Sequence, residues 1–215
     1  MKFQYFLLII FTAFTFGCKN IGRQPDNPTV NDTLSATEVQ PDPDIDSSLI
    51  HDTSRPDGVY EDKNANGIVT ERGEIRNGVQ DGKRYTYFAD GKPRTEENFV
   101  NGSYEGTFKE FHQNGKLFQE GHYSHNAMNG IWKTYYDTGE LKEEVTMVAN
   151  NENGPFKEYH KNGKIKYEGT YKDGDHEDGE MKVYNEEGEL IKKLDCKMGE
   201  CNTIWVKKAY EDFKR

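Results

Sequence analysis

Gly106-Thr107-Phe108-Lys109-Glu110-Phe111-His112-Gln113-Asn114-Gly115-Lys116-Leu117 is the stretch on which the fold turns, because it returns as Gly154-Pro155-Phe156-Lys157-Glu158-Tyr159-His160-Lys161-Asn162-Gly163-Lys164-Ile165. Its glycines extend in both directions. Gly58, Gly82, Gly106, Gly130, Gly154 and Gly179 lie 24, 24, 24, 24 and 25 residues apart, and Gly67, Gly91, Gly115, Gly139, Gly163 and Gly188 follow each of them by nine. Two markers kept in phase at such a period are the signature of one supersecondary unit repeated six times. The extra residue of the last interval falls in the polar stretch Asp175-His176-Glu177-Asp178, which places it in a loop.

The second glycine follows Asn66, Asp90, Asn114 or Asn162 in four units, a pairing that favours a two-residue turn with positive φ at both centres. Each unit therefore reads as a β-hairpin, and the turn sets its register. Lys109 then faces Glu120, Lys133 faces Glu144 and Lys157 faces Glu168, three opposite-charge pairs at one position. Phe108 and Phe156 face Gly121 and Gly169, an aromatic ring over a bare backbone. The same register predicts an apolar face of Phe108, Trp132, Phe156 and Met181 with Leu117, Leu141, Ile165 and Leu190. On the opposite face it sets Tyr87, Phe111, Tyr135, Tyr159 and Tyr184 against Arg94, Phe118, Lys142, Lys166 and Ile191, with tyrosine rings beneath lysine stems.

A lone hairpin cannot bury its apolar face, so the units must stack. The predicted fold class is all-β, with tandem β-hairpin repeats over 58–202 forming an elongated, twisted antiparallel meander of about thirteen strands. Both ends are atypical, as terminal repeats are. Lys63 stands where other units carry an aromatic, and 203–215, beginning Thr203-Ile204-Trp205-Val206, reads as a capping segment.

Ahead of the repeats, Lys2 precedes an apolar run from Phe3 to Phe16, then Gly17 and Cys18, the pattern of a targeting leader too short to span a bilayer comfortably. Residues 18–57 form an acidic tether. From 19 to 57 there are five of the seven prolines, no aromatic residue and a net charge of −5, too little apolar material to offset chain entropy. Residues 58–215 carry 24 Lys or Arg against 30 Asp or Glu without a basic cluster, which argues against nucleic acid as a partner.

Two resemblances follow from these residues. Residues 1–17 with Cys18 resemble a bacterial lipoprotein signal, which implies a lipid on Cys18 and a place in the cell envelope outside the cytoplasm; an uncleaved anchor and ordinary secretion are the alternatives. The pattern of glycine, aromatic, spacer, Tyr and Asn-Gly-Lys-Leu over about 58–202 resembles the MORN-variant repeat, with departures at Lys63, Arg84 and Thr138. That resemblance implies binding rather than chemistry. Bacterial proteins of this kind are often labelled as the antitoxin component of toxin–antitoxin systems.

The expected function is thus a membrane-tethered, non-enzymatic module without cofactor or metal that holds a protein partner. The stripe Tyr87, Phe111, Tyr135, Tyr159 and Tyr184 is the candidate contact, against the plainer reading that these rings only pack the sheet. A cell-wall glycan is the alternative ligand, since hairpin repeats rich in Gly, Trp and Tyr also resemble choline- and wall-binding repeats. Cys196 and Cys201 flank a turn near Gly199 and are expected to pair in an oxidising compartment, free thiols being the alternative. Asp62-Lys63-Asn64-Ala65-Asn66-Gly67 has the start of a calcium loop but Gly73 where the closing Glu belongs, so a hairpin turn is the better reading. Asp173, Asp175, Glu177, Asp178 and Glu180 read as a solvated loop before a weak cation site, and His112 and His160 as packed rings rather than ligands. No Ser or Cys sits in a nucleophile motif.

Overall fold

The computed structural model describes residues 55–213; the leader, Cys18 and the tether up to residue 54 lie outside them. The described residues contain no α-helix. One antiparallel sheet comprises β1 (Gly58–Lys63), β2 (Val69–Arg76), β3 (Val79–Gln80), β4 (Gly82–Tyr87), β5 (Pro93–Val100), β6 (Ser103–Tyr104), β7 (Gly106–Phe111) and β8 (Leu117–Ser124). It continues through β9 (Ala127–Tyr135), β10 (Leu141–Val148), β11 (Asn151–Tyr159), β12 (Ile165–Lys172), β13 (His176–Glu177), β14 (Gly179–Tyr184), β15 (Leu190–Lys197) and β16 (Glu200–Val206). Thirteen strands follow one another along the sheet in chain order, and the two-residue strands β3, β6 and β13 pair with the C-terminal ends of β2, β5 and β12. The hairpin meander is as the glycine period predicts. A 3-10 turn, Lys208–Phe213, follows β16.

The turn chemistry differs from the expectation. At Asn114-Gly115 the loop has three residues: His112 N donates to Lys116 O and Gly115 N donates back to His112 O. Only the glycine has positive φ, 85° at Gly115, so this is a type I turn closed by a bulge, and the same bonds recur at Asn64, Phe88, Tyr136, His160 and Asn185. The two-residue turns with positive φ at both centres lie at the other end, at Asn77-Gly78, Asn101-Gly102, His125-Asn126, Ala149-Asn150 and, in the last hairpin, Met198-Gly199; the first four are held alike. The residue ahead of each of the first four first-series glycines holds them. Asp57 accepts from Asn77 and Gly78 N–H, Asp81 from Asn101, Glu105 from His125 and Asn129 from Ala149. These two backbone bonds hold the Asp57 carboxyl below the usual carboxylate range. The inserted residue lies in the turn 173–175 between Lys172 and His176.

Ala149 adopts φ 49° there, a left-handed conformation that costs an L-residue about 1–2 kcal/mol. Ala149→Asn is expected to stabilise the protein by about 0.5–1 kcal/mol, since Asn tolerates this conformation as Asn77 and Asn101 do. Urea denaturation measures it, and a destabilised variant would contradict the turn.

The three-residue loops correct the faces. Lys109 does face Glu120, Lys133 Glu144 and Lys157 Glu168, and Phe108 and Phe156 do face Gly121 and Gly169. Past a bulge next to each loop, however, Phe111 pairs with Leu117, Tyr135 with Leu141, Tyr159 with Ile165 and Tyr184 with Leu190. Antiparallel partners share a face, so these Leu and Ile residues lie with the tyrosines, not with Trp132. Arg94, Phe118, Lys142, Lys166 and Ile191 are the unpaired bulge residues rather than partners of the stripe.

Every buried side chain falls on the face of Phe108 and Trp132. Ile75, Phe99, Trp132, Val145, Met147, Phe156, Leu194 and Cys196 form its apolar part, and Gln80 and Glu97 are the buried polar members. Among the described residues no second layer lies over this packed face, which is covered by its own rings. Trp132, 2 % exposed, meets Phe108 at 5.6 Å and Tyr123 edge-on at 5.1 Å, and Phe156 stacks on Tyr171 at 4.1 Å. Gly121 and Gly169 leave the room. A Cβ on Gly121 would lie 2.2 Å from the Trp132 ring, so Trp132 rather than Phe108 covers that backbone, while Phe156 covers Gly169 at 2.8 Å.

Candidate functional site

The tyrosine face repeats one side-chain clamp. Tyr135 donates its hydroxyl to Glu120 at 2.7 Å, Tyr159 to Glu144 at 2.9 Å and Tyr184 to Glu168 at 2.7 Å, each carboxylate coming from the preceding unit. Lysines join the row, Lys133 3.3 Å from Glu144 and Lys182 3.0 Å from Glu168. Burial and the neighbouring carboxylate push the Tyr135, Tyr159 and Tyr184 hydroxyls up to about 12, so each stays a donor at neutral pH. Tyr87 and Phe111 stand at the equivalent positions, and all five rings are half-buried. The expected lysine-over-tyrosine contacts occur elsewhere: Lys166 over Tyr167 at 4.7 Å and Lys161 over Tyr136 at 5.5 Å.

Loop side chains bind one unit to the next. Asn114 Nδ2 donates to Asp137 O and Asn162 Nδ2 to Glu186 O, both at 2.7 Å, and the Tyr136 hydroxyl donates to Tyr159 O at 2.8 Å. His112 and His160 occupy this same inter-unit place, Nε2 lying 3.3 Å from Tyr135 O and 3.1 Å from Tyr184 O. Asn64 serves its own loop, Oδ1 accepting from Asn66 and Ile68 N–H, so the stretch 62–67 is the first hairpin loop. Among the described residues no group of His, Cys, Asp or Glu is arranged to hold a metal ion. Cys196 and Cys201 face each other across the Met198-Gly199 turn and are joined by a disulfide, with Cα atoms 4.0 Å apart.

The packed face has a hollow near each end. The first, about 450 Å³, is polar and lined by Asp62, Thr86, Arg94 and Thr95 around Arg84. Arg84 replaces the aromatic of later units and bridges Glu71 at 3.0 Å and Glu97 at 3.2 Å. Glu71 is drawn down by the bonds from Arg84 and Tyr60 against the opposing effect of burial, whereas burial holds the Glu97 carboxyl above its ordinary range. The second hollow, about 340 Å³, is lined by Phe156, Tyr171, Met181 and Leu194 with Glu158 and Glu177.

The family model of the MORN repeat variant matches at residues 80–101, 104–125, 128–149 and 152–173. Each match runs from the strand leaving one two-residue turn to the next such turn, and so coincides with the structural period. Residues 80–173 are four tandem MORN-variant repeats. Repeats of this kind serve in protein or membrane binding, as binding or scaffold modules rather than enzymes in general. No curated protein matches this MORN-variant chain.

The second hollow went unrecognised in the sequence, although it has a signal. Ile75, Phe99, Tyr123, Met147, Tyr171 and Cys196 form a third series with the repeat period, and Gln80, Tyr104, Met128, Glu152, Glu177 and Cys201 face them in order.

Proposed function

We propose that this MORN-variant protein is a non-catalytic binding module of the bacterial cell envelope, tethered outside the cytoplasm by a lipid on Cys18 and holding a protein partner on its sheet. The tyrosine row carries this reading. Rings whose hydroxyls are already clamped by Glu120, Glu144 and Glu168 lose little further freedom when a partner covers them, which favours association.

A cell-wall glycan is the second reading, favoured by the polar 450 Å³ hollow, where Thr86, Thr95 and Asp62 supply hydroxyl and carboxylate partners for a sugar. The antitoxin label is a special case of the first, with a toxin as the partner.

Affinity capture of the full-length protein from gently solubilised membranes of its own host decides between them. One stoichiometric protein is the expected result, and wall glycan recovered without protein would overturn it. Tyr135→Ser with Tyr159→Ser is expected to reduce retention of the partner at least about tenfold while strand content by circular dichroism is kept. Unchanged retention would remove the tyrosine row as the contact.

A further inference from the structure

On the packed face the position filled by Tyr104 and Met128 is filled by Glu152 and Glu177 in the next two units. A carboxylate at a packing position is costly unless paired. Around it the charge accumulates. Glu143 faces Glu158 directly across β10 and β11, like charges at one cross-strand position. Burial, then Glu158, raises the Glu143 carboxyl above its usual range, and burial, then Glu143 and Asp175, raises that of Glu152. The Tyr171 hydroxyl in their midst is raised by burial and then by Glu152, Glu143, Glu177 and Glu158. Against these four carboxylates stand Lys166, committed to Glu158 at 3.2 Å, Lys192 in the lining of the hollow, and Lys142 beside Glu143.

Two residues of its lining, Glu158 and Tyr167, already hold an ammonium. Lys166 Nζ lies 4.7 Å from the centroid of the Tyr167 ring while bonding Glu158, a carboxylate and a ring face gripping one cation. Tyr171 with Glu177 and Glu152 repeats that combination beside it without an ion pair from Glu152 or Glu177 among the described residues, and Phe156, Met181 and Leu194 supply apolar walls for an aliphatic stem.

The geometry points to the hollow between Phe156, Tyr171 and Met181, edged by Glu158 and Glu177, as the receptor for a basic side chain, lysine above all, presented by a partner protein. Its volume of about 340 Å³ accommodates one such side chain, the stem against Met181 and Leu194 and the ammonium between Tyr171 and the carboxylates. The inference rests on the protein-binding reading and gives it the chemistry of one contact.

The test is calorimetric titration of the full chain in detergent with the peptide acetyl-Gly-Lys-Gly-Lys-Gly-amide, with its Nε-acetylated form, and with phosphatidylcholine vesicles. The lysine peptide is expected to bind, and its acetylated form at least about tenfold more weakly. Glu152→Gln with Glu177→Gln should weaken binding by a similar factor without lowering the melting temperature, because neutralising them relieves repulsion. Glu186→Gln with Glu200→Gln, which removes the same charge from exposed positions, should leave binding unchanged. Absent binding at millimolar peptide, or equal binding by the Glu152→Gln/Glu177→Gln variant or by the acetylated peptide, would overturn the assignment. Vesicle binding abolished by that variant would overturn it in favour of a lipid headgroup. A captured host partner that holds the variant as tightly as the parent would sink the hollow and leave the binding module standing.

Discussion

Trp132→Ala is expected to cost about 3–5 kcal/mol, read as a fall in the urea midpoint. Trp132 is the most deeply buried side chain of the sheet, and Gly121 beneath it has nothing to collapse into the space its ring would leave. It also joins neighbouring units, meeting Phe108 and Tyr123 on one side while Val145, Met147 and Phe156 complete the cluster on the other. In a linear array each unit is stabilised by its neighbours, so a cavity there weakens the coupling between the two halves. The transition should therefore broaden as well as shift. Trp132→Phe should lose much less, because it keeps most of the ring and removes Nε1, a buried donor without a partner among the described residues. A Trp132→Ala loss below about 1 kcal/mol would mean that the packed face is not the core.

Arg84→Met is expected to cost about 2–3 kcal/mol at neutral pH, less than the loss of a fully buried ion partner because Arg84 and Glu71 remain partly solvated. The damage comes from Glu97, whose side chain is 9 % exposed and whose carboxyl burial already raises even with Arg84 beside it. Without the guanidinium its folded pKa rises further. A carboxyl whose folded pKa exceeds the unfolded one binds more protons in the folded state, so the variant loses stability as pH rises from the ordinary carboxylate range through the raised value. Glu71 works in the opposite sense. Arg84 and Tyr60 lower it in the parent, which therefore loses that contribution as pH falls through the depressed value. Both effects narrow the gap between variant and parent on acidification. Denaturation at neutral pH and at about pH 4 measures it, and Arg84→Met with Glu97→Gln should recover much of the loss. A gap that widened in acid would refute the account.

The period made the hairpins, their number and the pairing of strand centres legible, because cross-strand chemistry at Lys133 and Glu144 or Phe156 and Gly169 repeats with it. Turn type was not legible. Asn114-Gly115 has the dipeptide of the tighter turn, yet Asn114 is held otherwise, its Oδ1 accepting from Lys116 N and its Nδ2 reaching Asp137 O in the next unit. That second bond exists only once the units are stacked. The tighter turns meanwhile include Ala149-Asn150 and Met198-Gly199, which give weak local signals. One bulge residue per loop then sufficed to move Leu117, Leu141, Ile165 and Leu190 to the other face, while everything nearer the strand centre kept its place. The second hollow was hidden for a related reason. The series that includes Glu152 and Glu177 is visible in the spacing, but its change from apolar to acidic gains meaning only when that series proves to lie on the packed face.

Among the described residues, the bonds that Asn and Lys side chains of one hairpin loop make to the backbone of another loop run one way. Asn64, Lys92, Asn114, Lys116, Asn162 and Lys164 donate from one loop to carbonyl oxygens of the loop that follows, as does the Tyr136 hydroxyl. A carbonyl is supplied by any residue, so the receiving loop carries no sequence requirement for this contact. Copy number is therefore free to change by whole units. A duplicated hairpin spliced between two others finds its loop acceptors ready and offers its own carbonyls in return, provided it keeps the tyrosine, glutamate and core positions that join units on the two faces.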